Sequence, residues 1–184
     1  MESGYRTIMW GLFLSTFHIN IGTFPVLPAF IGWIMITYAI GGIRKEAHQE
    51  AFTRAELFAG MISVETILAF TLGFLNYRSG SIQLLSLVYM VLYLLFVYYL
   101  MQGSIEYLES HGKTSEAEHY RGIQLCYIIV CVITGILGGI SIATGNVGWN
   151  GLAGGIGVIM VISLIITVKN IKKIEVRQAE LPEG

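Results

Sequence analysis

The sequence predicts an all-α fold, a polytopic bundle of about six transmembrane helices with both chain ends on the cytoplasmic side. Three observations predict it. Charged residues make up only 12% of the chain, whereas soluble domains carry roughly 25%. Apolar stretches recur along the chain, each close to the ~20 residues that a helix needs to cross the hydrocarbon layer. The basic residues fall almost entirely on one side of the resulting topology.

The apolar stretches organise residues 1–184 as one transmembrane domain without a separate soluble domain. They cover residues 7–24, 27–43, 56–76, 81–103, 122–144 and 150–169. The first is not a secretory signal, because it contains His18 and Asn20 and runs directly into the second. Pro25 and Pro28 are expected to turn the chain outside, with Pro28 at the first turn of the second helix. A re-entrant first segment is the alternative.

The charges set the orientation. With the N-terminus inside, only Arg78 of the 11 Lys and Arg residues falls on an outer loop, which leaves ten at the inner side. Cytoplasmic loops of membrane proteins carry this excess of basic residues. Residues 104–121, on the inner side, are expected to form two helix ends joined by a turn at Gly112.

Small residues mark where membrane helices approach each other closely, since lipid gives no hydrophobic driving force for helix contact. The fifth stretch carries Gly135 and Gly139, and the sixth carries Gly151 and Gly155, each pair with Gly-x-x-x-Gly spacing. We therefore predict that these two helices pack tightly through the four glycines. The first stretch is predicted to direct a small and polar face at protein, formed by Thr7, Gly11, Ser15, His18 and Gly22.

Glu65 is the only acidic residue deep inside a predicted span. A carboxylate at mid-membrane costs about 2.5 to 3.5 kcal/mol on insertion scales, so such a residue is a candidate for function. His18 and Glu65 lie at similar depths, ~16 Å from the inner ends of their spans at 1.5 Å per residue. We predict that they form a titratable or ligand-binding pair, with Asn76 on the same helical face as Glu65. The alternative is that Glu65 only fixes helix packing.

The fourth span is rich in tyrosine, and Tyr89 and Tyr93 share a helical face with Phe96. This face is a candidate binding wall for an organic ligand, with ordinary aromatic packing as the alternative.

Several classes of function are excluded by missing residues. All 12 acidic residues are glutamate, which excludes membrane enzymes whose chemistry depends on aspartate. No zinc-binding His-Glu-x-x-His, serine-hydrolase elbow or phosphate-binding glycine loop occurs in the sequence. Cys126 and Cys131 lie five residues apart within one span and form neither a disulfide framework nor a metal site. We expect no catalysis, no metal, no cofactor and no nucleic-acid partner.

One segment resembles a known signature. Residues 21–33, Ile-Gly-Thr-Phe-Pro-Val-Leu-Pro-Ala-Phe-Ile-Gly-Trp, are similar to the Ile-Pro-Asp-Phe-Ile-Gly-Tyr motif that follows the first span in a group of small, uncharacterised bacterial membrane proteins. Here Ala29 replaces the aspartate and Trp33 the tyrosine. The resemblance implies a multi-pass protein of the bacterial cytoplasmic membrane and no specific function. In size and span number the chain is also similar to the vitamin-binding subunits of energy-coupling-factor transporters.

Two classes of function remain open. The first is a membrane-embedded component that binds or transports a small molecule, as His18, Glu65 and the tyrosines suggest. The second is an accessory, regulatory or scaffold protein that acts through a membrane-protein partner. The bilayer is the expected surrounding in both.

Overall fold

The computed structural model describes residues 2–17, 20–21, 24–25, 28–75, 81–144 and 147–179. Within them, the chain forms six α-helices, which confirms the predicted all-α class. The helices are α1 (Glu2–Thr16), α2 (Ala29–Ala47), α3 (Glu50–Phe74), α4 (Ser81–Ser110), α5 (Thr114–Thr144) and α6 (Val147–Ala179). Each helix packs against the next, and α6 packs against α1, so the six helices close into a ring.

Four helices are long and apolar enough to cross a membrane. The segments concerned are Glu50–Phe74, Leu85–Ser110, Thr114–Ser141 and Gly151–Lys172, one in each of α3 to α6. Large apolar side chains are exposed on their outward faces, among them Leu57, Val64, Ile136, Ile159 and Ile166. An apolar exterior suits contact with lipid, and these helices indicate a membrane protein. The described parts of α1 and α2 do not reach the same length and hydropathy.

The first hairpin differs from the prediction. The expected span 7–24 is not one helix, since α1 starts at Glu2, ends at Thr16 and has 15 residues. Two short strands follow, β1 (Asn20–Ile21) and β2 (Phe24–Pro25), which pair antiparallel. Proline has no backbone N–H and disfavours helical geometry in the residue before it, so Pro25 and Pro28 suit the extended backbone found at Phe24–Pro25 and at Pro28. Pro28 is the N-cap of α2 in extended conformation, and the helix proper begins one residue later.

The closest helix contact lies between α1 and α2. A Cβ added at Gly11 would lie 2.7 Å from the carbonyl oxygen of Gly32, and one added at Gly32 would lie 2.7 Å from the backbone N of Ser15. The two backbones therefore touch where glycines face each other, as Gly-mediated contacts in membranes do. The predicted small face of the first span is found here for Gly11 and Ser15.

Ion pairs and polar contacts gather at the end of the bundle where α1 begins and α6 ends. Lys172 of α6 pairs with Glu2 of α1 at 2.9 Å. At the turn between α4 and α5, Arg121 pairs with Glu109 at 2.7 Å, and Gly112 adopts the left-handed φ of 74° that reverses the chain. This confirms the predicted turn within residues 104–121, although both helices run closer to it than the apolar stretches suggest.

Candidate cavity between helices α1, α4, α5 and α6

A half-open cavity of about 280 Å³ lies among α1, α4, α5 and α6, and some of its lining residues, such as Gly154 and Val158, are exposed. Its wall includes Tyr89 and Tyr93 of α4, Cys131 and Thr134 of α5, and Ser15 near the end of α1. Two glycines of α6, Gly154 and Gly157, complete this side. The cavity lies away from the end that carries the ion pairs, because Ser15 is close to the far end of α1.

Aromatic rings form the α4 wall. The indole of Trp33 on α2, which is 1% exposed, contacts three rings of α4 edge to face. Its centroid lies 6.2 Å from Tyr89, 6.1 Å from Tyr93 and 5.1 Å from Phe96. Tyr89 and Tyr93 are one helical turn apart and stack nearly parallel, with an interplanar angle of 14°. The rings therefore restrain one another, and the predicted aromatic face of α4 is held in position by these ring contacts.

The hydroxyl of Tyr93 is unusual for a polar group, because it is fully buried and has no hydrogen-bond partner among the described residues. It lies near the Cys131 thiol, another group of the cavity wall. Buried polar groups nearly always find a partner, because an unpaired one costs about 1 to 3 kcal/mol. The ring of Tyr93 lines the cavity, while its hydroxyl is enclosed by protein.

Two other hydroxyls of the wall, those of Ser15 and Thr134, already donate to the backbone. Ser15 donates to the carbonyl oxygen of Leu12 at 3.0 Å, and Thr134 donates to that of Val130 at 2.8 Å. Each hydroxyl has one proton, so both retain only acceptor capacity toward the cavity. No charged side chain lines the cavity in the described part of the chain. The wall therefore provides mainly apolar contact surface, with the hydroxyl oxygens of Ser15 and Thr134 as acceptors.

The cavity exists because glycines do not fill it. A Cβ added at Gly154 or Gly157 would meet no atom within 4 Å among the described residues. The same is true at Gly139, Gly151 and Gly155. Among the described residues, Gly139, Gly151 and Gly155 therefore make no close contact, and the packing of α5 on α6 through the four glycines stays a prediction. Gly135 does sit in a close contact, but with the side chain of Met90 on α4 and not with α6.

The predicted site residues fall into separate places. Tyr89 and Tyr93 line the cavity. Glu65 is buried, with 8% exposure, but it borders a different and more open groove along α3 and does not line the cavity. Tyr89 lies close enough to Glu65 for the two side chains to interact electrostatically. The two regions therefore meet at Tyr89 without forming one site.

His18 and Asn76 lie outside the described residues. The pair that we predict between His18 and Glu65 therefore stays a prediction.

Sequence reasoning missed Cys131, Thr134, Gly154 and Gly157 as cavity residues. The helical positions of Cys131 and Thr134, three residues apart, place them on one face of α5. That signal is present in the sequence, but it does not say which helix the face meets. Gly154 and Gly157 carry the same three-residue spacing, which is equally typical of helix packing.

No protein-family model, curated protein or solved structure matches this chain.

Proposed function

We propose that this protein is a six-span protein of the bacterial cytoplasmic membrane, with both termini in the cytoplasm, that binds a small molecule inside its helix bundle. Binding would serve uptake or transport across the membrane, and the protein would carry out no covalent chemistry. The observation that carries the proposal is the half-open, mostly apolar cavity of about 280 Å³ whose wall includes the stacked rings of Tyr89 and Tyr93.

The topology is supported by two independent observations. The positive-inside pattern places all basic residues except Arg78 on one side. The Glu2–Lys172 ion pair joins the start of α1 to α6 at one end of the bundle, as an even number of spans requires. The resemblance of residues 21–33 to small bacterial membrane proteins supports the bacterial membrane.

The size and location of the cavity support binding of a small solute. Ligand sites are concave, mostly apolar and equipped with a few polar groups, and in helical bundles they occur between helices. An apolar cavity of ~150 Å³ is large enough for benzene. The cavity here is nearly twice as large and is bordered by aromatic rings on one side.

The test is a thermal-shift screen of the purified full-length protein against small solutes, compared with two glycine variants of α6. Gly157→Leu should fill the cavity, since Gly157 lines it and has open space at its Cβ position. Gly151→Leu is the matched control, because Gly151 is exposed, also has open space and does not line the cavity. A ligand that binds only the folded state at 100 times its Kd stabilises by ~2.7 kcal/mol.

We expect solutes that stabilise the wild type and the Gly151→Leu variant but not the Gly157→Leu variant. Stabilisation of all three proteins would place the ligand elsewhere. A broad screen in which no solute stabilises the wild type would contradict a binding function.

That last outcome would favour the second candidate, an accessory protein acting through a membrane-protein partner. The specific observation behind it is a groove over the outward face of α2, of about 680 Å³. Polar side chains line this groove. Thr37 and Ser63 lie in its wall beside the ion pair between Arg44 and Glu56, whose N and O atoms are 3.1 Å apart. Tyr38 projects there with 84% exposure.

A further inference from the structure

We propose that the open groove along α3 binds an organic cation with an apolar body, and that the carboxylate of Glu65 is the counter-ion of this cation. The groove lies between α2, α3 and α4 and is separate from the cavity that Tyr93 lines. It therefore adds a second site to the proposed function. The proposal follows from the surroundings of Glu65, from the charges of the groove and from its apolar side chains.

Glu65 is a carboxyl group without a partner. It lies in the apolar helix Glu50–Phe74, lines the groove and is 8% exposed. It has no hydrogen bond or ion pair with any described residue. Tyr89 is close to it on α4, but a phenol provides no positive charge. Since a carboxylate within a membrane span is costly unless it is paired, an occupant of positive charge supplies the missing partner.

The charges along the groove leave one negative charge uncompensated. Arg44, Glu56 and Glu65 are the charged residues of its described wall. Arg44 is engaged with Glu56, because its Nε atom lies 3.1 Å from the Oε2 atom of Glu56. Glu65 follows Glu56 on α3 after a rise of about 14 Å at 1.5 Å per residue. The Arg44–Glu56 pair therefore does not neutralise Glu65, and charge complementarity favours an occupant with one positive charge.

Apolar side chains around Glu65 favour an organic cation over a metal ion. Met61 and Leu68 lie within one helical turn of Glu65, and Val88 and Leu92 line the groove from α4. Mg²⁺ and Ca²⁺ take about six oxygen ligands, and the described residues contain no group of three His, Cys or Glu side chains that could hold a metal ion. An ammonium group on an apolar body pairs with the carboxylate and buries its body against these side chains.

The test follows modification of Glu65 by dicyclohexylcarbodiimide in the purified full-length protein, in a non-ionic detergent. This apolar reagent adds to a protonated carboxyl group: the carboxyl oxygen bonds to the central carbon, and the proton moves to a nitrogen of the reagent. Mass spectrometry of the peptide that contains Glu65 measures the adduct. A bound cation takes the place of the proton at the carboxylate and so slows the reaction.

Three probes of nearly the same shape differ in charge. Benzyltrimethylammonium is a cation, neopentylbenzene is its neutral analogue with carbon in place of nitrogen, and phenylmethanesulfonate is an anion. We expect the cation to slow labelling of Glu65 at about tenfold lower concentration than the neutral analogue, since one charge-assisted contact is worth at least that factor. The anion should not slow it.

Three outcomes of this labelling experiment would overturn the proposal. Equal protection by the cation and the neutral analogue would show an occupant held by apolar contact alone, such as lipid. Protection by the anion would contradict the negative charge of the site. Failure of the reagent to label Glu65 without any probe would show that the accessible, unpaired carboxyl is not there.

Equilibrium dialysis with radiolabelled benzyltrimethylammonium tests the charge directly. Glu65→Gln keeps the shape of the side chain and removes no described partner, so the variant should fold and bind the cation at least tenfold more weakly. Glu118→Gln makes the same chemical change at an exposed position of α5 and should bind like the wild type. Equal binding by the wild type and the Glu65→Gln variant would overturn the proposal.

Glycine variants separate the groove from the cavity. Gly60 lines the groove, and a Cβ added there would meet only the Thr37 methyl group, at 3.9 Å, among the described residues. Gly60→Leu should therefore narrow the groove and weaken protection of Glu65 by the cation. Gly73→Leu, at an open position of α3 outside the groove, should not. Gly157→Leu changes only the cavity wall; if this variant abolished protection, the cation would bind in the cavity and the groove site would be wrong.

Discussion

Two helix pairs of this bundle carry glycines, and they use them in opposite ways. Between α1 and α2, Gly11 and Gly32 let two backbones touch. Between α5 and α6, Gly139, Gly151 and Gly155 leave open space, and Gly154 and Gly157 border a cavity. The comparison shows that glycine in a membrane helix does not by itself indicate close packing. It permits either a close contact or a void, and the neighbouring helix decides which.

The largest effect is expected from Gly32→Ala. Its added methyl group would meet the backbone of α1 at Gly11 and Ser15, and backbone atoms cannot move aside as a flexible side chain can. Overpacking of this kind costs about 3 kcal/mol. The free energy of unfolding, measured by SDS titration, should fall by this amount. Gly42→Ala on the same helix is the control, because its Cβ position is open. Equal stability of the two variants would contradict the close α1–α2 contact.

The second prediction is a gain in stability from Gly139→Ala, Gly151→Ala and Gly155→Ala together. No described atom lies within 4 Å of these Cβ positions, so the substitutions remove the conformational freedom of glycine without a clash. Each should add about 0.5 to 1 kcal/mol, and the triple variant about 2 kcal/mol. A loss of stability in the same SDS titration would support the interpretation of these glycines as a packing interface.

Tyr5→Phe tests the hydrogen bond that joins α1 to α4 across the ring of helices. Ser104 donates to the carbonyl oxygen of Leu100 at 2.9 Å, so the Tyr5 hydroxyl donates to Ser104, also at 2.9 Å. Both residues are fully buried. We expect a loss of about 1 kcal/mol in the free energy of unfolding. The control is Tyr38→Phe, which should change stability little because Tyr38 is exposed. If both variants behave alike, the hydrogen bond between Tyr5 and Ser104 contributes nothing measurable.

The smallest expected effect on stability concerns the Glu2–Lys172 ion pair, which joins α1 to α6 and so closes the ring of helices. The hydrogen bond from Lys172, together with its charge, lowers the pKa of the Glu2 carboxyl from its ordinary value of 4.5. A carboxyl with a lowered pKa in the folded state contributes stability above its unfolded pKa and loses it as the pH falls through the folded pKa. Unfolding measured from pH 7 down to below 4 should therefore show a small loss that Glu2→Gln abolishes. Added salt should reduce it, because both side chains are solvent-accessible.

The four long helices could be predicted from the sequence because each apolar stretch is long enough by itself to specify a membrane helix. The same logic failed after Thr16, where α1 ends although the apolar run continues. The described residues that follow form the strands Asn20–Ile21 and Phe24–Pro25, and Pro25 and Pro28 suit extended rather than helical backbone. Hydropathy records the apolar side chains and not the backbone conformation that the prolines impose.

The candidate site was predictable in part. Tyr89 and Tyr93 were identified because residues four apart share a face of one helix. The cavity itself was not predictable, since its wall combines four helices that are distant in sequence. Glycine spacing looks the same whether a neighbour is present or absent. The burial of Glu65 follows from its depth in α3, but its separation from the cavity depends on which way α3 faces within the ring.

The shortness of α1 has a consequence for the surrounding bilayer. Its 15 residues rise about 22 Å, whereas the 33 residues of the adjacent α6 rise about 50 Å. A hydrocarbon layer of ~30 Å is therefore matched by one side of the bundle and not by the other. Hydrophobic mismatch of this kind is relieved by local thinning of the lipid, at a fraction of a kcal/mol per Å. In the proposed six-span topology, the annulus of lipid would then be thinnest at α1, and the stability of the bundle would become sensitive to acyl-chain length from that side.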